Sequence, residues 1–101
     1  MLEISSLYYA VIFTSVLQGN DPEYHKTTER LERLAAKQTG FLGFETARNN
    51  GGFGISISYW QDLQSIHDWR DNLEHQLAKK MGEAKWYKEY KVRIARVEHE
   101  Y

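Results

Sequence analysis

The 101-residue sequence contains no cysteine. Disulfides, thiolate metal centres and cysteine nucleophiles are excluded together. Proline occurs once, and no repeat, linker or low-complexity segment breaks the chain. Charge of one sign is also missing. Thirteen Lys and Arg against fourteen Asp and Glu give a net charge of -1, without the positive field that duplex binding requires. No apolar run is long enough to span a bilayer. The first residues lack the basic start and apolar stretch of a signal peptide, so a cytoplasmic location is expected. The length fits one domain over residues 1–101. A domain this small has a modest core, which association with a second copy would reinforce.

Aromatic side chains are plentiful: 7 Tyr, 4 Phe and 3 Trp, or 14% of the chain. Such a supply points to aromatic clustering or an aromatic-lined pocket. "YYAVIFTSVL" (8–17) is rich in β-branched and aromatic residues and reads as a strand. Nearly every position is apolar, so both faces should be buried. "DPEYHKTTERLERLAAKQTG" (21–40) carries helix punctuation: Asp21 as cap, Pro22 in the first turn and Gly40 at the end. Its inward stripe is Tyr24, Thr27, Leu31, Leu34, Ala35 and Gln38. "FLGFETAR" (41–48) and "GISISYW" (54–60) flank the hairpin chemistry of "NNGG". Ile55, Ile57 and Tyr59 share one strand face, and Ser56, Ser58 and Trp60 the other.

Asp62 can cap a short helix carrying Leu63, Ile66 and Trp69. "DNLE" (71–74) resembles a second capping box, which predicts a helix break before Asp71. The helix after it places Leu73, Leu77, Met81 and Ala84 on one side, with His75, Ala78, Gly82 and Trp86 roughly opposite. A last strand follows over residues 90–99. The order β-α-β-β-α-β is ferredoxin-like α+β, with a four-stranded antiparallel sheet whose first and third strands are central. Two helices cover one face of that sheet. The apolar first strand then needs a cover on its other face, and a homodimer supplies it.

"GFLGFE", "ISYW", "IHDW", "LEH" and "WYKEYKVRIARVE" occur in that order. In sequence and spacing they resemble the antibiotic biosynthesis monooxygenase-like superfamily over about residues 8–99. The resemblance implies a dimeric α+β barrel with two sheets face to face. It also implies a pocket between sheet and helices, lined by aromatic and polar side chains. Some such proteins oxygenate polyphenols with neither metal nor flavin, and others bind and degrade haem. The haem-degrading branch uses an Asn on the first strand, a Trp on the helix after the third strand, and a His beyond it. Trp69 matches the Trp, but Phe13–Thr14 stand where the Asn belongs and Lys79 near the expected His. Haem degradation by that route is therefore not expected, although haem binding stays open.

The expected function is a cofactor-independent monooxygenase acting on an aromatic or quinone-like small molecule. His75 is the candidate base, because small neighbours leave room beside its imidazole. Trp60, Trp69, Trp86 and Tyr90 are candidate pocket walls, and Ser56 and Ser58 candidate hydrogen-bond donors. His67, His25 and His99 read as solvated, and no metal-ligand spacing is present. The alternatives are a haem-binding or haem-degrading monooxygenase and a non-catalytic small-ligand-binding dimer. RNA recognition shares this element order, but "GGFGI" lacks the basic residue and second aromatic of an RNA-stacking strand, so no nucleic-acid partner is expected.

Overall fold

The computed structural model describes residues 7–19, 22–84 and 86–101, and for residues 74–84 it describes the backbone. Strand β1 spans Tyr8–Leu17, helix α1 Pro22–Ala36, β2 Phe41–Arg48, β3 Phe53–Trp60, α2 Leu63–Ala84 and β4 Tyr87–Val97. The four strands form one antiparallel sheet in the order β2-β3-β1-β4, so β1 and β3 are central. This is the ferredoxin-like arrangement that the element order predicts.

The β2–β3 turn forms through Asn49. Its carbonyl accepts from Gly52 N at 3.2 Å, and its side chain accepts from Phe53 N at 3.1 Å. Gly52 takes φ +94, a left-handed value that glycine adopts without strain. Helix α1 begins at Pro22, as expected; the cap assigned to Asp21 lies outside the described residues. Helix α1 ends at Ala36, before Gly40. Gly40 instead opens β2 with φ +88, and its carbonyl accepts from Gln61 N at 2.8 Å.

Two expected boundaries are corrected. The break before Asp71 does not occur: α2 runs unbroken from Leu63 to Ala84. Its inward residues Ile66, Trp69 and Leu73 recur at three- and four-residue spacing through that region. Continuing the helix keeps all three on the sheet, and nothing in the span is Pro or Gly before Gly82. The real cap is Asp62, whose Oδ1 accepts from Ser65 N at 2.8 Å. Strand β4 begins at Tyr87 rather than Tyr90, because Leu17 pairs with Tyr87 beyond a register shift.

Register sorts the side chains into two faces. Tyr9, Val11, Phe13 and Ser15 of β1 stand opposite Trp60, Ser58, Ser56 and Gly54 of β3, and this set faces the helices. The core lies at one end of that layer, where Trp60, Ile66, Trp69 and Ala35 are buried. Trp60 has no exposed surface. Burying a side chain of that size contributes about 4–6 kcal/mol of transfer free energy. The other sheet face carries Ile12, Thr14 and Val16 of β1 with Phe53, Ile55, Ile57 and Tyr59 of β3. No element of the described chain lies over it, and Phe53 and Ile55 are exposed there.

Candidate functional site between sheet and helices

Six of the candidate site residues have described side chains; the four aromatic ones divide between the two ends of the helix-facing layer, and Ser56 and Ser58 lie between. At one end Trp60 stacks on Trp69, with ring centroids 6.0 Å apart, and meets Phe41 edge-on at 5.5 Å. The Trp60 indole N–H donates to Ser58 Oγ at 2.8 Å. That bond uses Ser58 as acceptor and leaves its own proton to donate. Ser56 is half-buried and shares a hydrogen bond of 2.9 Å with Thr46 Oγ1. Trp60 is sealed in the core and Trp69 is buried, so a ligand reaches the Trp69 edge only by displacing its neighbours.

At the other end, Trp86 is buried and meets Tyr24 edge-on at 5.5 Å. Phe13, Tyr87 and Tyr90 form a second aromatic group, with Phe13 5.2 Å from Tyr87 and 5.7 Å from Tyr90. Tyr90 is 58% exposed, so this group opens to solvent. The two ends correspond to Tyr9 and Ser15 on β1. Six residues of strand separate them, or roughly 20 Å. Trp60 and Trp69 therefore do not share a pocket wall with Trp86 and Tyr90. The backbone of His75 lies in α2, but its side chain is outside the described residues. His67, His25 and His99 are exposed. Among the described residues no group of His, Asp or Glu is placed to hold a metal ion.

The open end is built around residues that sequence reasoning passed over. Arg48, the last residue of β2, turns inward across Gly54, its partner in the ladder. A Cβ on Gly54 would fall 2.4 Å from the Arg48 guanidinium carbon, so glycine is what makes the slot. Arg48 donates to Ser15 Oγ at 2.7 Å, Ser15 O at 3.3 Å, Tyr24 Oη at 3.2 Å and Gly52 O. Tyr87 Oη lies 3.4 Å from Tyr24 Oη. Burial, helped by the Tyr24 hydroxyl, pushes the Tyr87 phenol far above its ordinary range, while Arg48 pulls slightly the other way. Tyr87 is thus a neutral hydrogen-bond donor at all working pH values. A glycine inside a strand, facing the arginine that ends its hairpin partner, was the readable signal.

A shallow cavity of about 310 Å³ lies beside this end, along β1 and β4, where Ser15 and Tyr90 line it together with Thr14, Val16, Phe53, Glu89, Lys91 and Arg93. All but Ser15 and Tyr90 belong to the uncovered sheet face, and of the sequence-selected residues only Tyr90 reaches the cavity. On the same face Tyr59 donates to Glu45 at 2.7 Å, which pushes its phenol up to about 12.

Fold and site together define a ferredoxin-like α+β domain with an aromatic and hydroxyl-lined layer between sheet and helices. The chain belongs to the antibiotic biosynthesis monooxygenase family, whose sequence profile matches residues 7–81. It is 50% identical over 93 residues to the uncharacterized protein YqjZ of Bacillus subtilis (strain 168), covering 92% of this chain and 82% of YqjZ. Its fold is that of SnoaB, a cofactor-independent oxygenase from Streptomyces nogalater, at TM-score 0.65 and 13% identity over 95% of each chain. PA3566 from Pseudomonas aeruginosa superposes at TM-score 0.73 and 16% identity, over 93% of this chain and 97% of that one.

Proposed function

We propose that this protein is a cofactor-independent monooxygenase that oxidises an aromatic or quinone-like small molecule. The observation that supports it is the aromatic group Phe13, Tyr87 and Tyr90 beside a cluster of hydroxyl donors, open to solvent, in a chain of this family. A base removes the proton of an acidic phenol, and the electron-rich anion reacts with O₂ at carbon. The resulting hydroperoxide loses water and leaves a quinone carbonyl. One oxygen atom enters the product and the other leaves as water, which balances the four electrons taken from the substrate. The protein supplies the base, an aromatic wall and donors for the anion. His75 is the proposed base. Tyr90 and Trp86 form the proposed wall at the open end, Trp60 and Trp69 support the layer at the closed end, and Ser56 and Ser58 lie between.

The reading includes a cytoplasmic homodimer, its two sheets meeting through Ile12, Val16, Phe53, Ile55 and Ile57. No helix among the described residues is long and apolar enough to cross a membrane. A haem-degrading route is not part of the reading. Phe13–Thr14 stand where the first-strand Asn would be, Trp69 is stacked into the core, and the three histidines with described side chains are exposed.

Oxygen uptake and quinone absorbance, followed over a panel of polycyclic phenols without added metal or flavin, test the activity. Uptake should be catalytic and fall at least tenfold in His75→Ala. No uptake with any phenol, or uptake unchanged in that variant, sinks the corresponding part of the reading. Light scattering at micromolar concentration should return a dimer mass, and a monomer mass removes the dimer.

A further inference from the structure

The uncovered sheet face is apolar in its middle and charged at its edges, with opposite signs on the two sides. Ladder pairing sets Glu45 of β2, Ile57 of β3, Ile12 of β1 and Arg93 of β4 in one row across it. The next row is Ala47, Ile55, Thr14 and Lys91. Glu45, Lys91 and Arg93 are all exposed. Three strand spacings, roughly 14 Å, separate Glu45 from Arg93, so they cannot meet within one copy. Neither Lys91 nor Arg93 forms an ion pair among the described residues. Glu45 accepts from the Tyr59 hydroxyl through Oε1, which holds the carboxylate in place and leaves Oε2 to accept.

A second copy that covers this face must compensate those charges. The twofold axis relating two face-to-face sheets lies in the plane between them. An axis along the strands lays β2 over the partner's β4 and keeps each row over itself. Each Glu45 then faces Arg93 of the partner subunit, with Lys91 of the partner subunit one row away. Sheets about 10 Å apart leave room for these two side chains to meet. An axis across the strands lays β2 on β2 and β4 on β4. Glu45 then faces a strand with no cation on this face, and the β4 cations crowd one another. A diagonal axis drops the edge charges onto the partner's apolar middle, where nothing compensates them. The cavity agrees with the first setting. Lys91 and Arg93 line it beside Val16 and Phe53. An axis along the strands brings the partner's β2 over it, with Glu45 of the partner subunit at its Arg93 end.

We propose that this cavity is half of an interface site between two copies of the chain, completed by Glu45 of the partner subunit, and that two Glu45–Arg93 pairs set the twofold axis along the strands. The assignment rests on the homodimer reading and adds which strands meet and which charges decide it.

The test mixes two charge reversals. In Glu45→Arg both pairs become Arg against Arg, and in Arg93→Glu both become Glu against Glu. Each variant should self-associate about a hundredfold more weakly than wild type, the scale of opposed like charges counted twice. Mixed one to one, the two variants restore opposite signs at both edges. The mixture should return to dimer mass by light scattering, and a tagged copy of one should capture an untagged copy of the other. Wild type that stays monomeric sinks the dimer and this assignment together. Dimeric wild type with single variants that stay dimeric, or with folded variants that stay monomeric when mixed, overturns the assignment and leaves the dimer standing. Circular dichroism checks the fold of each variant. Glu45→Gln and Arg93→Gln are the milder pair: each should weaken the dimer and flatten its salt dependence, and a salt dependence unchanged in both also overturns the assignment.

Discussion

Replacing Gly40 with alanine should cost more than a methyl added to any other glycine whose surroundings are described. A Cβ there would lie 2.1 Å from Ser65 Oγ, 2.7 Å from Ser65 Cβ and 3.2 Å from Gln61 Cγ. Ser65 cannot swing clear: it is buried, and its N–H is held by Asp62 Oδ1 at the start of α2. The added methyl must therefore push α2 away from β2, at about 1–3 kcal/mol for overpacking. Gly40 also has φ +88, where a side chain costs a further ~1–2 kcal/mol. The sum is about 2–5 kcal/mol, and for a domain of this size it lowers the melting temperature by on the order of 10–20 °C. Circular dichroism melts measure the drop. A double-mutant cycle with Ser65→Gly separates the two causes, because removing Ser65 Cβ and Oγ relieves the clash and not the backbone. The coupling should be about 1–3 kcal/mol, with Gly40→Ala still destabilising in the Ser65→Gly background. An alanine variant that melts like wild type, or effects that add within about 0.5 kcal/mol, would refute the packing argument.

Trp69→Ala should destabilise by about 3–5 kcal/mol in urea melts, since it empties the stack on Trp60, whereas exposed His67→Ala should stay within about 0.5 kcal/mol. Equal effects would show that Trp69 is not core. Thr27→Val should stabilise the protein by about 1 kcal/mol, because it removes a buried hydroxyl that has no partner; a loss of stability there would mean that the hydroxyl is satisfied. The Asp62 carboxylate is held below its ordinary 3.8 by hydrogen bonds from Ser65. A depressed folded pKa gives stability that is present above 3.8 and lost as pH falls through the folded value. The melting gap between wild type and Asp62→Ala should thus be constant near neutrality and close in acid, and a gap unchanged in strong acid would contradict the cap.

The amino-acid sequence by itself determined the elements whose signals are local. Strands β1 and β2 begin and end where β-branched and aromatic runs meet turn residues, α1 starts at Pro22, and Asn49 to Gly52 make the hairpin. Each depends on neighbours a few residues away, so a linear reading reaches it. The two faces of β3 were legible for the same reason, because a strand alternates regardless of what it packs on. Tertiary structure decided the rest. Asp71 has the chemistry of a cap, yet α2 passes through it, because Ile66, Trp69 and Leu73 gain burial only if the helix continues. The four aromatic residues read as candidate pocket walls divide between two ends of the layer, because the register of β1 against β3 and β4 fixes which residue stands where. Arg48 and Gly54 look unremarkable apart. The β2–β3 hairpin sets them face to face, but no local pattern encodes the arginine's meeting with Ser15 of β1 and Tyr24 of α1.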